Sequence, residues 1–475
     1  MQSKYDVIIV GGGPAGIFAA LELSQVAGLK VLILEKGKDL NNRDCPIWGK
    51  EGDCLSCSPC NLVSGLGGSG AFSDGKLTLS PQVGGHLKDY LGEQLTCELI
   101  RYVDHLYLRF GAPDNLYGTG KEVELWRSKA SLAELRLIPV AIRHMGTEYA
   151  RAILKAMQSF LSTRVDIETE KIASTILVDT SMLKGVEIAD GEKVGCRYLI
   201  LAPGREGADW LVQEANRLRL TLYNNPIDIG VRVEVPRVVL EELTNVLYEP
   251  KLELFTKTFD DRVRTFCMCP GGEVTIESTG GSEPVITVNG HSYAYRKTDN
   301  TNFALLVSTT FTQPFQEPIA YGKYIARLAN ILSGSVLVQR LGDLQDGRRS
   351  TPERIERGII QPTLKSATPG DLSFALPYRY LKSIVEMLQA MDRLVPGVAS
   401  RHTLLYGVEV KFYSCRLELT KSMETEIANV FAVGDGAGIS RGLVQASASG
   451  IVAAREILKR EGVSTTAFSR RDYSL

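Results

Sequence analysis

Residues 5–35 read YDVIIVGGGPAGIFAALELSQVAGLKVLILE, and this stretch decides the fold. Tyr5 to Val10 is a short β-branched run, the pattern of a strand buried on both faces. Gly11-Gly12-Gly13-Pro14-Ala15-Gly16 follows with the spacing G-x-G-x-x-G. Ile17 to Val26 then reads as a helix and Lys30 to Leu34 as a second strand, closed by Glu35. A strand–helix–strand unit of this length is the crossover of a dinucleotide-binding sheet. Gly11 permits the tight turn, Gly13 lets backbone approach a pyrophosphate, and Gly16 lets the helix pack on the strand. The helix that starts at Pro14 offers free N–H groups from Ala15 onward and the positive end of its dipole to phosphates. Glu35, with Lys36 beside it, stands where a carboxylate can accept from both hydroxyls of an adenosine ribose.

Working outward, the 475 residues suggest two or three domains. Apolar residues make up 44% and charged residues 23%, which excludes a disordered tail, a collagen repeat or a small disulfide scaffold. The formal net charge of -1 gives no global field for nucleic acid or anionic lipid. Val7 to Leu21 is uncharged but glycine-interrupted and too short to span a bilayer. The expected compartment is therefore the cytoplasm, with the nine cysteines reduced.

Residues 41–76 form a long Gly-, Ser- and Cys-rich loop, which in a compact domain is usually functional. Helical periodicity follows at 86–110 and 147–161. Short alternating runs at 166–169, 173–178 and 185–189 suggest an antiparallel meander. Composition changes near Asn224, and β-type runs fill 227–310. The expected domains are 1–223, an inserted 224–396 with its own sheet and helices at 320–331 and 381–392, and a return at 397–475. The first part carries the Cys-rich loop and a helical insertion at about 86–145.

Near the C-terminus, residues 429–449 read NVFAVGDGAGISRGLVQASAS. A strand runs into Gly434-Asp435-Gly436, and a helix starts near Gly442 and Leu443, with Gln445 in its first turn. Residues 198–207, YLILAPGREG, are a strand ending at Pro203-Gly204. Both strings, in this order, resemble motifs of the glutathione-reductase-type flavoproteins. That resemblance implies FAD, with Asp435 on a ribityl hydroxyl and the helix start facing the negative end of a reduced flavin. No other glycine cluster has the strand–glycine–helix context, so nicotinamide would act as a diffusing reductant.

Longer strings go further: CLSCSPCNLVSGLGGSGAFSDGKL at 54–77, RTFCMCPGGEV at 264–274, NGHSYAYRKTDNTNFALLVS at 289–308, GDLQDGRRST at 342–351 and LLYGVEVKFYS at 404–414. With 434–450 they resemble a bacterial and archaeal group of FAD-dependent dehydrogenases, or NAD(P)/FAD-dependent oxidoreductases, related more distantly to geranylgeranyl reductases. The resemblance spans nearly the whole chain. It implies an α/β fold: an FAD-binding Rossmann-like domain of glutathione-reductase type with an inserted α+β substrate domain. It also implies that Gly67, Gly68 and Ser69 lie along the flavin.

Cys45-x8-Cys54-x2-Cys57-x2-Cys60 is the most unusual local feature. Three or four thiols at this spacing suit zinc or an iron–sulfur cluster, a redox disulfide, or a packed loop without a ligand. Cys267 and Cys269, one residue apart on a strand, share a face, and Cys267 is a catalytic candidate. Arg264, Arg296, Arg348 and Arg349 could clamp a carboxylate or phosphate, or make interface ion pairs. Among the five histidines, His144 and His291 have the more distinctive contexts and His86, His105 and His402 weaker ones. Glu409, Lys411 and Tyr413 alternate on a strand. They would border an active site or form the solvated face of an edge strand. Lys411 and Tyr413 are the preferred proton-transfer candidates.

The leading expectation is an FAD-dependent dehydrogenase or reductase moving hydride to or from a small organic molecule. A flavin monooxygenase of the aromatic-hydroxylase layout is the enzymatic alternative. A flavin-binding redox sensor or RNA-modification partner is the alternative of another class, which balanced charge disfavours. A cluster of iron and sulfur would add an electron-transfer protein as partner. No membrane partner is expected.

Overall fold

The computed structural model describes residues 2–46, 57–278, 284–293, 296–309 and 317–463. The chain divides into two units, 1–114 with 143–225 and 414–475, and 115–142 with 226–413.

The first unit is built on a parallel sheet whose order is Asp166–Thr169, Val31–Glu35, Lys4–Val10 and Lys193–Leu201, with Val430–Ala432 beside the last. Its central strands are buried on both faces, as their unbroken Val, Ile and Leu runs dictate. The hairpin Ala173–Asp179 and Met182–Ile188 extends the sheet antiparallel to Lys193–Leu201. The expected meander is therefore only partly present: Asp166–Thr169 pairs parallel with Val31–Glu35 instead. The helix Pro14–Leu23 begins with proline at its first turn and is buried from Ala15 onward. It packs against the long helix Leu443–Arg460, and a Cβ at Gly450 would lie 2.0 Å from the Ala15 carbonyl oxygen. The helical pattern at 86–110 is two helices, Leu87–Leu91 and Glu93–Arg109, parted by Gly92 at φ +78°.

The second unit holds an eight-stranded sheet in the order Thr368–Pro369, Leu337–Arg340, Leu404–Lys411, Ile227–Pro236, Asn300–Thr309, Arg262–Cys269, Lys251–Phe255 and Arg136–Ile138. Ile227, Ile229, Val231, Val233 and Val235 point to one face, where helix Tyr378–Leu394 supplies Ile384, Met387 and Leu388 to a common core. The alternate residues Asp228, Arg232 and Glu234 are just as buried on the other face. Two boundaries differ from the sequence reading. Leu404–Lys411 is a central strand of this sheet, so the second unit runs to Tyr413 rather than ending near 396. Residues 115–142, read as part of the first domain, supply its edge strand Arg136–Ile138. No helix among the described residues is long and apolar enough to cross a membrane.

Candidate functional site

In the first unit, four glycine strings converge. A Cβ at Gly11, which sits at φ +108°, would lie 2.1 Å from the Ala202 carbonyl oxygen. One at Gly436 would lie 2.5 Å from the Gly204 carbonyl oxygen, and one at Gly434 3.1 Å from the Ala15 Cβ. The loop at 65–70 joins them: the Gly67 N–H donates to the Gly12 carbonyl at 2.8 Å. A Cβ at Gly68 would stand 3.0 Å from the Gly13 Cα, and one at Gly70 3.0 Å from Leu443 Cδ2. Other positions face open space. A Cβ at Gly13 meets nothing nearer than 3.9 Å, and at Gly204 or Gly442 nothing within 4 Å. The result is a cradle floored by bare backbone. Two helix N-termini open on it, Pro14–Leu23 and Leu443–Arg460, neither with a side-chain cap.

Glu35 is buried and already accepts three backbone N–H groups, from Gly12 and Gly37 at 2.8 Å and Gly65 at 2.9 Å. A carboxylate offers about four lone-pair sites. Room remains for one hydroxyl, not the two expected from the sequence. Asp435 accepts from Ser440 Oγ at 2.5 Å and lies 3.4 Å from Arg205 Nε.

Arg43 is the residue that sequence reasoning missed. It is fully buried, and its guanidinium donates to the carbonyls of Asn61 at 2.9 Å, Leu62 at 3.0 Å, Leu66 at 2.7 Å and Gly68 at 2.8 Å, with Gly65 at 3.3 Å. Burial pulls its pKa down to about 10, opposed by the charge of Glu35. The glycine loop is thus wrapped around a single cation. A lone arginine in NNRDC carries no sequence signal of that role.

His86 also gains a context. Its ring lies between Asp89 (Nδ1, 3.1 Å) and Arg441 (Nε2, 3.0 Å). Burial and then Arg441 hold its pKa below the ordinary value. Backbone bonds from His86 to Ile439 and from Arg441 to Gly84 tie this segment to the start of helix Leu443–Arg460.

In the second unit, the polar face of the sheet forms a continuous buried network. Arg232 donates to Asn302 at 2.8 Å, to the Cys267 carbonyl at 2.6 Å, to Cys269 Sγ at 3.3 Å and to both Glu409 oxygens at 3.3 Å. Lys411 Nζ lies 3.1 Å from Glu409 and 3.6 Å from Glu277. Burial alone would lower the Lys411 pKa, but Glu409 and Glu277 raise it above the ordinary value. Tyr413 donates to Asp228 and accepts from Arg264 at 3.0 Å. Burial works against the Asp228 charge, yet Arg264, Tyr413 and Ser308 together hold its pKa below the usual range. Hairpin Glu273–Ser278 with Ile286–His291 approaches this network so closely that a Cβ at Gly290 would lie 1.9 Å from Arg232 Nη2. Glu409, Lys411 and Tyr413 are therefore buried on a central strand and its continuation, not on a solvated edge.

Residues 226–412 match the family described as FAD-dependent protein, C-terminal domain-like, and residues 5–51 match pyridine nucleotide-disulphide oxidoreductase. The chain is an FAD-dependent oxidoreductase. Its first unit is an FAD-binding Rossmann-like domain. An uncharacterized protein of Clostridium beijerinckii (strain ATCC 51743 / NCIMB 8052) is 27% identical over 483 residues, covering 97% of this chain and 82% of its own. Among solved structures, glycine oxidase from Geobacillus kaustophilus aligns at 14% identity and TM-score 0.41, over 100% of both chains. L-proline dehydrogenase from P. horikoshii aligns at 11% identity and TM-score 0.42, over 98% of this chain and 96% of that one.

The cradle of this oxidoreductase fits FAD. Bare backbone at Gly13 suits the pyrophosphate, Glu35 retains one acceptor site, and Gly204 and Gly442 leave space a Cβ would fill. Two residues read as cofactor ligands have other partners. Lys36 donates to the Glu206 carbonyl at 3.3 Å. Gln445 gives its amide to the 80–87 segment, accepting from Leu87 N–H at 3.3 Å and donating to Val83 at 3.0 Å. Arg348 pairs with the buried Asp343 at 3.0 Å, which Arg340 also contacts at 3.1 Å, and Arg296 pairs with Glu273. His291 packs edge-on against Tyr293. Cys45, Cys57 and Cys60 are free thiols, and Cys54 lies outside the described residues. Among the described residues, no group of three or more His, Cys, Asp or Glu could hold a metal ion.

Proposed function

We propose that this oxidoreductase transfers hydride between a small organic substrate and FAD, with reducing equivalents brought by a diffusing nicotinamide. The observation that supports the reading is the cradle of the first unit, where Gly13, Gly68, Gly204 and Gly442 offer bare backbone beside two uncapped helix starts. FAD, when bound, supplies the two-electron centre. The chain's own residues handle charge and protons. Lys411, kept protonated by Glu409, is the proton donor rather than the base. Arg264 and Tyr413, joined at 3.0 Å, orient a polar group of the substrate, and Asp228 anchors both.

The test is anaerobic reduction of the FAD-loaded protein. NADPH or NADH should bleach the visible flavin band, and an organic acceptor should restore it without oxygen. Reoxidation that requires oxygen and consumes nicotinamide in step would replace this reading with a monooxygenase. Bleaching by neither nicotinamide would remove the proposed donor.

A further inference from the structure

The helix Leu443–Arg460 starts at Gly442, which leaves open space on the cradle, and Arg441 stands immediately before it. The first turn carries no acidic residue, and the start has no side-chain cap. A cation at this end of a helix is repelled by the dipole. That cost is offset when an anion occupies the same place. FAD in the cradle supplies one, because a reduced flavin carries negative charge on its ring, and charge near the ring tunes its electronics.

Arg441 is held there by a specific contact. Its Nη2 lies 3.0 Å from His86 Nε2, and His86 Nδ1 lies 3.1 Å from Asp89 Oδ2. A guanidinium only donates and an ionised carboxylate only accepts. His86 Nε2 must therefore accept from Arg441, and Nδ1 must carry the hydrogen given to Asp89. The ring is neutral and fixed in one tautomer, since a second proton would set two donors face to face. The charges facing it are Asp89 from its own helix, Arg441 from the segment before the long helix, and Arg416 from strand Arg416–Leu417. The backbone on both sides is pinned as well. The Arg441 N–H donates to the Gly84 carbonyl at 2.8 Å, and the His86 N–H to the Ile439 carbonyl at 2.7 Å. Between them a Cβ at Gly85, which sits at φ +149°, would lie 2.6 Å from the Gln445 Oε1 and from the Ile439 carbonyl oxygen.

We propose that Arg441 is the cation that raises the reduction potential of bound FAD, and that His86, with Asp89 behind it, is the positioning residue that keeps the guanidinium at the helix start. This role rests on FAD occupying the cradle and is independent of the substrate. A fixed positive charge favours the reduced, anionic flavin over the neutral oxidised form. No electron or proton passes through Arg441 or His86. A neutral imidazole suits the task. It holds the guanidinium by accepting one bond and leaves its charge intact, whereas a carboxylate in the same place would cancel it.

The experiment uses the full chain loaded with FAD and reduced slowly in equilibrium with a dye of known potential. Arg441→Met should lower the ratio of reduced to oxidised flavin about tenfold, which is about 30 mV for a two-electron couple. Arg441→Lys, which keeps the charge, should change the ratio by less than about threefold. His86→Leu, which removes the acceptor, should lower it about threefold or more. His86→Gln, whose amide oxygen can accept from Arg441, should bring it back to within about twofold of wild type. An Arg441→Met or His86→Leu protein whose ratio stays within about twofold of wild type overturns the proposal. So does an Arg441→Lys protein that falls as far as Arg441→Met. A second measurement needs neither variant nor flavin. Nitrogen-15 NMR of the histidine-labelled wild-type chain, with His86→Gln assigning the signal, should show His86 neutral at pH 7 with its hydrogen on Nδ1. A hydrogen on Nε2, or an imidazolium, overturns the contact and the proposal with it. Wild type that takes up no FAD overturns the cofactor reading itself, an outcome told apart by the absent flavin band.

Discussion

Replacing Arg43 by Met tests whether one buried cation holds the glycine loop in shape. Methionine fills similar volume, so the change isolates the lost donors rather than a cavity. The carbonyls of Asn61, Leu62, Leu66 and Gly68 each lose a charged donor at 2.7 to 3.0 Å. Gly65 loses the weakest contact, at 3.3 Å, and its carbonyl still accepts from the Gly68 N–H. At about 1 kcal/mol for each of the four stranded acceptors, the first unit loses roughly 4 kcal/mol. A domain of this size shifts by about 2–4 °C per kcal/mol, so its melting temperature should fall by roughly 8–16 °C. The same change loosens the Gly67 to Gly12 bond that closes the cradle, so FAD should be released before the chain unfolds. Flavin fluorescence, which rises on release, is read beside far-ultraviolet circular dichroism during heating. Arg43→Lys, with three donors on a flexible stem, should fall between wild type and Met. An Arg43→Met protein that keeps its flavin and melts within about 2 °C of wild type would refute the reasoning, since the four bonds would then be worth under about 1 kcal/mol together.

Other predictions follow from the same geometry. Gly13→Ala should leave the fold intact but weaken FAD binding, because its Cβ meets no chain atom nearer than 3.9 Å, whereas Gly16→Ala should destabilise the fold, its Cβ lying 2.0 Å from the Gly11 carbonyl oxygen; circular dichroism and flavin titration separate the two. Gly290→Ala, placing a Cβ 1.9 Å from Arg232 Nη2, should lower the stability of the second unit by about 1–3 kcal/mol in urea unfolding. His86 has a depressed folded pKa, so the unfolded chain takes up its proton first as pH falls below about 6.5. Its contribution is complete above that pH and is lost on acidification toward the lower folded value. Thermal melts across this range should show His86→Gln losing less stability than wild type, and equal losses would contradict the assignment.

The sequence made the cradle legible because its logic is local. A run of Val and Ile, a glycine turn and a carboxylate at the next strand end are all read within residues 5–35. The C-terminal glycine string was legible for the same reason. What escaped depends on distant chain. Asp166–Thr169 has the alternation of a meander strand, and only the free edge of Val31–Glu35 makes it parallel. Glu409 and Lys411 left two readings open, the border of an active site or the wet side of an edge, because strand periodicity cannot see the hairpin and the Arg232 guanidinium that cover them. Arg43 was invisible because its role arises from carbonyls at 61–68 folding back around it. Gln445 was read as a ligand from its place at a helix start, whereas its amide fits the backbone of a segment more than 350 residues earlier.

The order in which the chain is made is out of step with the order in which its halves can close. The second unit has all its strands once synthesis passes Tyr413, while the first still lacks Val430–Ala432 and the helix Leu443–Arg460. The ribosome therefore releases a finished insert flanked by a half-built cofactor domain. During that interval the Lys193–Leu201 strand has one side of its C-terminal half unpaired, a template for misdirected pairing until residues 430–432 arrive. A nonsense codon after Tyr413 would accordingly leave a protein whose insert resists protease while its N-terminal segments are degraded.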